Sequence, residues 1–160
     1  MAQVDFFLKM APVEGESVDA KHKGEIVVES FNWGETASAG TSPGVGAGKT
    51  QPHDFVFVKK VDKSSPVLML GCAAGQHFKT AILSGRKTGG TQQDYLKITM
   101  EDVSITSYQV GGSAQTDGLP FDQVSLNFSK LEMSYKEQQP NGALGAEVKE
   151  KFDFGTNKKL

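Results

Sequence analysis

A stretch between residues 43 and 50 nearly spells a phosphate-binding loop and is the most catalytic-looking segment of the chain. It reads Pro43-Gly44-Val45-Gly46-Ala47-Gly48-Lys49-Thr50. A phosphate-binding loop has glycine, four residues and then Gly-Lys-[Ser/Thr], so that backbone N–H groups wrap the phosphates of a nucleotide. Here Pro43 stands in place of the first glycine and offers no N–H.

The segment after this loop also differs from that of a nucleotide site. A phosphate-binding loop opens a helix, whereas Asp54 to Lys60 is rich in β-branched and aromatic residues and predicts a strand. The sequence therefore favours a glycine-rich loop between two strands. A nucleotide-hydrolysing enzyme that uses Lys49 is left as an alternative, which a nucleotide-induced thermal shift tests.

Other residues capable of chemistry show no metal-binding spacing. His22, His53 and His77 form no i, i+3 or i, i+4 pair, and the sequence has no Cys-x-x-Cys. Glu16, Asp19 and His22 can be drawn as ligands, but their short, irregular spacing is more typical of side chains that tie a surface turn. We therefore predict no metal site and no cofactor.

No arrangement typical of covalent catalysis is present either. The sequence lacks a Gly-x-Ser-x-Gly elbow, and the run 111–113 (Gly-Gly-Ser) falls in a turn. Cys72 lies in a short apolar stretch, which is typical of a small core residue. Phe55, Phe57 and Phe78 have no basic residues interleaved with them, so they indicate a sheet core rather than a base-stacking platform. The chain is predicted not to be an enzyme.

Composition limits the classes of partner and the number of domains. The 160 residues suit one domain, and 17 basic against 19 acidic side chains give a formal charge of −2, which argues against a nucleic-acid groove. The single cysteine excludes an internal disulfide. The start of the chain lacks the pattern of a secretory signal, and no run approaches transmembrane length. We expect a protein made in the cytoplasm, without membrane insertion.

The periodic signal along the chain is mostly β. Alternating or β-rich runs predict strands near 6–10, 25–33, 54–60, 77–87, 95–109 and 124–135. One short helix is predicted over 65–74, with Ser65 as N-cap, Pro66 at the first position and Gly75 closing it. Its apolar residues do not fall on one side, so we expect the helix to be largely covered.

Two of the strands change their apolar phase partway along, which predicts bends. The phase switches near Glu101-Asp102 and again at Ser129-Lys130. Long, bent antiparallel strands curl a sheet into a barrel. We predict a mainly β fold: a single-domain antiparallel β-barrel of two curved sheets over residues 1–160, with one flanking helix. An extended Gly-rich loop is expected at 36–51, and a less ordered tail at 140–160 with a short strand near 152–154.

A chain-wide series of motifs resembles one family, the haemolysin-coregulated proteins (Hcp), which are tube subunits of type VI secretion systems. The likeness follows the chain in order and is weakest after Asn141. The motifs that carry it are Gly15-Glu16-Ser17 with Asp19, Lys21-His22-Lys23 and Glu25; Phe31-Asn32-Trp33-Gly34; Gly46-Ala47-Gly48-Lys49; Asp54-Phe55 to Lys59; Asp62-Lys63-Ser64-Ser65-Pro66; Cys72-Ala73-Ala74-Gly75-Gln76-His77; Arg86-Lys87-Thr88-Gly89-Gly90; Tyr95-Leu96; Ser107-Tyr108; Gly111-Gly112-Ser113; and Val124-Ser125-Leu126-Asn127-Phe128.

The resemblance implies a structural protein rather than a catalyst. It implies hexameric rings that stack into a hollow tube, a spike protein at the tip, a contractile sheath that expels the tube, and small effector proteins in the lumen. It also implies secretion through the machine itself. The resemblance places the ring-stacking loop near 41–51, with Gly44, Gly46, Gly48 and Lys49, and we expect Asn32 to face the lumen. A monomeric cytoplasmic β-barrel that binds a small ligand shares the fold and is the alternative.

Overall fold

The computed structural model describes residues 4–37, 49–87, 92–115 and 118–160, most of which lie in strands. In chain order the elements are β1 (Val4–Lys9), β2 (Ile26–Val28), β3 (Ser30–Asn32), β4 (Glu35–Ala37), β5 (Thr50–Pro52), β6 (Phe55–Lys60), α1 (Ser64–Ala73), β7 (His77–Lys87), β8 (Asp94–Gly111), β9 (Phe121–Asn127), β10 (Lys130–Gln138), β11 (Leu144–Asp153) and β12 (Lys158–Lys159). In these ranges no helix has the length and apolar character needed to cross a membrane.

Two curved sheets share the long strand β8. Its first half lies in the sheet β2-β1-β7-β8-β10-β11-β12, and its second half pairs with β9, which continues through β6 to β3. All pairings are antiparallel, and the predicted fold class is confirmed. Over the described residues the strands wrap the core without closing into a continuous hydrogen-bonded ring. β2 pairs with β1 and β3 pairs with β6, and Glu29 separates these two short strands.

The two predicted bends face each other across the shared ribbon. Asp102 has a left-handed backbone with φ 56°, at the point where the apolar phase of β8 switches. Opposite it, Ser129 interrupts β9 and β10, and its N–H donates to the carbonyl of Glu101 at 3.0 Å. The Ser129 hydroxyl also donates to the Asp102 carboxylate at 2.7 Å. Both strands of the ribbon therefore turn together from one sheet into the other.

The run predicted as one strand over 25–33 is two short strands in different sheets. In the first sheet, Ile26 and Val28 are buried on the core side, whereas Phe31 points toward the core from the second sheet. The inward phase switches between Val28 and Phe31, because the chain changes partners from β1 to β6 at Glu29. This switch explains why neither face of the run is purely apolar in the sequence.

The core lies between the two sheets and is built from the inward phase of each strand. Phe55, Phe57 and Leu126 come from the second sheet, and Leu83 and Met100 come from the first; all five are fully buried. Burying each such side chain stabilises the fold by about 1.5–3 kcal/mol. The predicted assignment of Phe55, Phe57 and Phe78 to a sheet core is confirmed.

Helix α1 begins one residue before its predicted N-cap. The Asp62 carboxylate accepts the backbone N–H of Ser64 at 2.8 Å, so Asp62 closes the helix start and Ser65 lies inside the first turn. The Ser65 hydroxyl instead donates to the buried acid Asp122 at 2.6 Å. At the other end Gly75 adopts φ 64°, as predicted, and the N–H of Gln76 donates to Gly71.

The prediction that the helix is largely covered is wrong for the isolated chain. Only Ser64, Ser65, Leu68 and Gly71 are buried. The other side of the helix faces away from both sheets and is exposed.

The C-terminal segment contains a longer strand than the one predicted near 152–154. Strand β11 spans ten residues and pairs with β10 from Lys130↔Asp153 to Gln138↔Leu144. It is exposed on both faces over residues 146–150, so it lacks the alternation that reveals a half-buried strand. The lower order of the tail relative to the barrel stays a prediction.

Candidate functional site

The outer face of the four-stranded sheet β3-β6-β9-β8 is polar and carries no charge at its centre. Cross-strand partners share a face of a sheet, so the pairing defines two rows that each cross all four strands. One row is Asn32, Val56, Ser125 and Ser107, and the other is Ser30, Val58, Gln123 and Gln109. The charged residues Asp54 and Lys60 stand only at the two ends of β6.

The opposite face of the same sheet is the wall of the core. Its central row is Phe31, Phe57, Val124 and Tyr108. A sheet that is dry on one side and neutral but hydrogen-bonding on the other separates a packed core from a wet surface. The polar face offers amide and hydroxyl groups to whatever contacts it without attracting either sign of charge.

Asn32 lies on this polar face, exposed on β3. Its predicted role in a lumen stays a prediction, since a single chain has no lumen. Sequence reasoning missed the rest of the face. The available signal was the polar phase of β9, where Gln123 and Ser125 alternate with the buried Val124 and Leu126.

The same four-stranded sheet has two edges with no partner strand. On one side β3 pairs with β6, and no described strand pairs with its other edge. On the other side β7 stops opposite Ser104, so no strand among the described ranges pairs with residues 105–111 along the edge of β8 that faces away from β9. Unpaired edges present rows of backbone N–H and C=O groups and are templates for pairing with another chain.

The loop predicted to stack rings begins and ends in a small ribbon. β4 and β5 form a separate two-stranded sheet, with Glu35↔Pro52 and Ala37↔Thr50 as its outer registers. Lys49 directly precedes β5, at the loop end of this ribbon, and is exposed. Gly44, Gly46 and Gly48 fall outside the described residues. The ribbon is separate from the main sheet.

The most enzyme-like arrangement in the structure is a buried polar cluster at the start of α1. Lys59 and Asp122 are cross-strand partners on β6 and β9 and are fully buried, and their charged atoms lie 3.0 Å apart. Lys59 also donates to Asp62 at 3.0 Å and to the Ser65 hydroxyl at 2.8 Å. Asp122 accepts hydrogen bonds from Ser65 at 2.6 Å and from Tyr108 at 2.8 Å.

This cluster has the components of a Ser–Lys hydrolase but the wrong arrangement. An ammonium that donates to two carboxylates is not free to take a proton from Ser65, and the serine is almost wholly buried. Burial, together with the hydrogen bond to Asp122, raises the pKa of Tyr108 to about 12. The cluster therefore anchors the first turn of α1 to the second sheet, which is a structural role.

A second cluster holds the 14–25 segment against the first sheet. The ring nitrogens of His22 face Glu25 at 3.1 Å and Asp94 at 2.9 Å, and the ring stacks on Phe7 with centroids 4.4 Å apart. Arg86 donates to Asp19 at 2.6 Å; this hydrogen bond lowers the pKa of Asp19 to about 2 and raises that of Arg86.

Glu16, Asp19 and His22 do not converge on one point. The Glu16 carboxylate accepts the backbone N–H of Lys63, whereas Asp19 and His22 contact Arg86 and the acids described above. The Asp19 carboxylate accepts the backbone N–H of Lys21 at 3.0 Å, so the prediction of side chains that tie a turn is confirmed.

One apolar groove opens beside the barrel. It has a volume of about 470 Å³, and its apolar lining is Trp33, Leu131, Met133, Phe152 and Phe154. The Trp33 indole N–H donates to the carbonyl of His53 at 2.9 Å, which fixes the ring at the groove wall.

Comparisons with known proteins agree on one family. The family model described as "Type VI secretion system effector, Hcp" matches residues 7–135. The chain is 40% identical over 143 residues to "Protein hcp1" of Pseudomonas aeruginosa, and the match covers 88% of each protein. It is 33% identical to the crystal structure of Hcp1 from Salmonella typhimurium, with a TM-score of 0.85 and full coverage of both chains. A solved type six secretion system protein gives a TM-score of 0.93 at 27% identity, covering 99% of this chain and 100% of that one.

Proposed function

The chain belongs to the Hcp family of type VI secretion system proteins, and we propose that it is a tube subunit whose six copies close into a ring and whose rings stack into a hollow tube. The family is one of structural, secreted proteins rather than enzymes. In this proposal the tube carries a spike protein at its tip, a contractile sheath expels it, and small effector proteins travel in its lumen. The protein leaves the cell through the machine itself.

One observation carries the proposal: the four-stranded sheet is polar on its outer face and unpaired at both described edges. If β3 of one copy pairs with the free edge of β8 in the next, the contact is head-to-tail and can close into a ring. The polar face then becomes a continuous inner wall.

The dimensions of such a ring suit a channel for small proteins. Six copies place twenty-four strands around the wall, and a strand spacing of ~4.8 Å gives a circumference of roughly 115 Å and a diameter of roughly 37 Å. Strand tilt widens the channel further. A small folded domain of about 100 residues has a radius of gyration of about 13 Å and fits within it.

The lack of charged side chains at the centre of the polar face also supports its assignment as the inner wall. A wall of serine, asparagine, glutamine and valine side chains binds no cargo through strong ion pairs, so cargo can enter and leave. The β4–β5 ribbon, which is separate from the main sheet, gives the ring-stacking segment a base from which to reach the next ring. Lys49 is proposed as an interface charge in that contact.

A pair of proline substitutions on the free half of β8 tests the edge pairing. Neighbouring N–H groups in a strand point to opposite edges, so Gln109→Pro and Val110→Pro each remove a donor from a different side. One variant should lose the ladder to β9 and fold less stably. The other should keep the thermal midpoint of the monomer but lose the ring, as measured by sedimentation and negative-stain microscopy. Rings that persist in both folded variants would exclude pairing through this edge.

The apolar groove favours a second candidate function. A monomeric β-barrel that binds a small ligand could hold an apolar molecule against Trp33 and Phe152. Microscopy separates the two functions, because only the tube subunit forms rings as the protein concentration is raised.

A further inference from the structure

Helix α1 presents an apolar surface that none of the described residues of the chain covers. Val67, Met69 and Leu70 are 44%, 50% and 61% exposed. The helix contains no charged residue from Ser64 to Ala73. Depletion of charge together with exposed large apolar side chains distinguishes the core of a protein–protein interface from ordinary surface.

The position of the helix relates this surface to the free edge of β8. Gly71 of α1 packs on Ile105 at the start of the free segment, close enough that an added Cβ would lie 3.1 Å from the Ile105 side chain. At its other end the helix is tied through Ser65 and Asp122 to Tyr108. The helix therefore runs directly behind residues 105–108, on the side of the second sheet that faces the core.

A strand added to this edge brings its own apolar neighbours close to the helix. In the chain, β3 lies beside β1, where Val4 is exposed and Phe6 is half-buried on one face, and Phe31 of β3 is also half-buried. Phe6 and Phe31 contact each other edge-on with ring centroids 5.0 Å apart. Val4, Phe6 and Phe31 form an apolar margin, here named the β1–β3 margin, at the end of the second sheet opposite to β8 and α1.

We infer that α1 is an intersubunit helix: its surface of Val67, Met69 and Leu70 packs on the β1–β3 margin of the next copy. This inference rests on the proposed function, since it assumes the edge pairing of β3 with β8. Packing of α1 on the next copy also supplies buried area that the edge pairing lacks. A specific interface buries about 800 Å² per partner, and β3 offers only three paired residues, so most of the area must come from side-chain packing behind the sheet.

The inference also accounts for the outcome of the helix prediction. The apolar residues of α1 are distributed around the helix as in a covered helix, yet one chain covers only part of it. A second copy on the exposed side completes the cover.

A charge placed on the helix tests the contact. Leu70→Glu should leave a folded monomer, with unchanged circular dichroism, and lower the ring fraction at micromolar concentration at least tenfold in sedimentation velocity. Val18→Glu is the matched control, since Val18 is 94% exposed and belongs neither to α1 nor to the β1–β3 margin, and it should keep its rings. Rings in L70E equal to those in V18E would overturn the inference while leaving the tube proposal intact. Absence of rings in the unsubstituted protein would instead overturn the tube proposal itself.

A cross-linking pair tests the same contact without relying on the folding of L70E. In a Cys72→Ser background, M69C together with V4C should give a ladder of covalent species up to six copies with a short bismaleimide, and either single cysteine should not. A ladder that is absent while rings are present would refute the inference. Dimers from M69C alone would do so as well, because they would place two helices face to face.

Discussion

Replacing Lys59 with methionine tests how the buried cluster holds the helix to the barrel. Lys59 is fully buried against Asp122, which is also fully buried, and two further partners surround its ammonium group. Methionine keeps much of the side-chain volume but removes the charge. The Asp122 carboxylate then stays buried with only the hydroxyl groups of Ser65 and Tyr108 as donors.

The expected loss of stability is large for a single substitution. Removing one partner of a buried ion pair leaves an uncompensated charge and costs about 3–5 kcal/mol. In a domain of this size each kcal/mol lowers the thermal midpoint by about 2–4 °C, so K59M should fall by roughly 6–20 °C. Urea unfolding of dilute, monomeric protein measures the free energy directly.

The next residue along the strand is a matched control. Lys60 is 55% exposed in its side chain and lies 3.8 Å from Glu29, which is also exposed. Lys60→Met should therefore change the free energy of unfolding by less than ~1 kcal/mol. K59M with Asp122→Asn should recover part of the loss, since the double variant buries no lone charge. A K59M protein within ~1 kcal/mol of K60M would refute the assignment of the cluster as the anchor of α1.

Three further predictions concern the charged clamp, the inner wall and the loop. The pKa of Asp19 in the folded protein is about 2, below its ordinary value of 3.8. Its carboxylate therefore stabilises the fold at pH values above 3.8, and this effect is lost as the pH falls toward 2. Acid titration of the unfolding free energy should show the wild type converging on Asp19→Asn over this window, and a constant gap would contradict it. Asn32→Arg should leave ring shape intact in micrographs and reduce retention of cargo protein, whereas collapsed rings would argue against a lumen position. Shortening residues 42–48 should leave single rings and abolish stacks, and unchanged stacking would show that the loop has another role.

The bends could be predicted from the sequence because each leaves a local mark. The apolar phase of β8 slips at Glu101-Asp102 and that of the opposite strand at Ser129, and the structure places both slips at one corner of the ribbon. The end of α1 was predictable in the same way, since Gly75 permits the left-handed backbone that closes a helix.

Features that depend on partner choice left no such mark. The run 25–33 has two mixed faces in the sequence, and only the change of partner at Glu29 shows where it divides between two sheets. Strand β11 is exposed on both faces over residues 146–150, so its polar sequence resembles a loose tail. The N-cap prediction failed because Ser65 bonds to Asp122, a residue 57 positions away, which local capping rules do not consider.

The site was predictable only in part for a related reason. Asn32 could be placed on a polar strand phase, but the two polar rows exist only once β3, β6, β9 and β8 lie side by side. Their order in the sheet differs from their order in the chain. No single segment therefore shows the face.

A cryo-electron microscopy map of the purified assembly tests the central claim most directly. The account predicts a six-fold ring with a continuous wall of twenty-four strands, a central channel at least roughly 37 Å across, Asn32 and Gln123 facing the channel, and α1 behind the wall at each subunit junction. A ring in which β3 and β8 of neighbouring copies do not pair, or in which another face lines the channel, would contradict it.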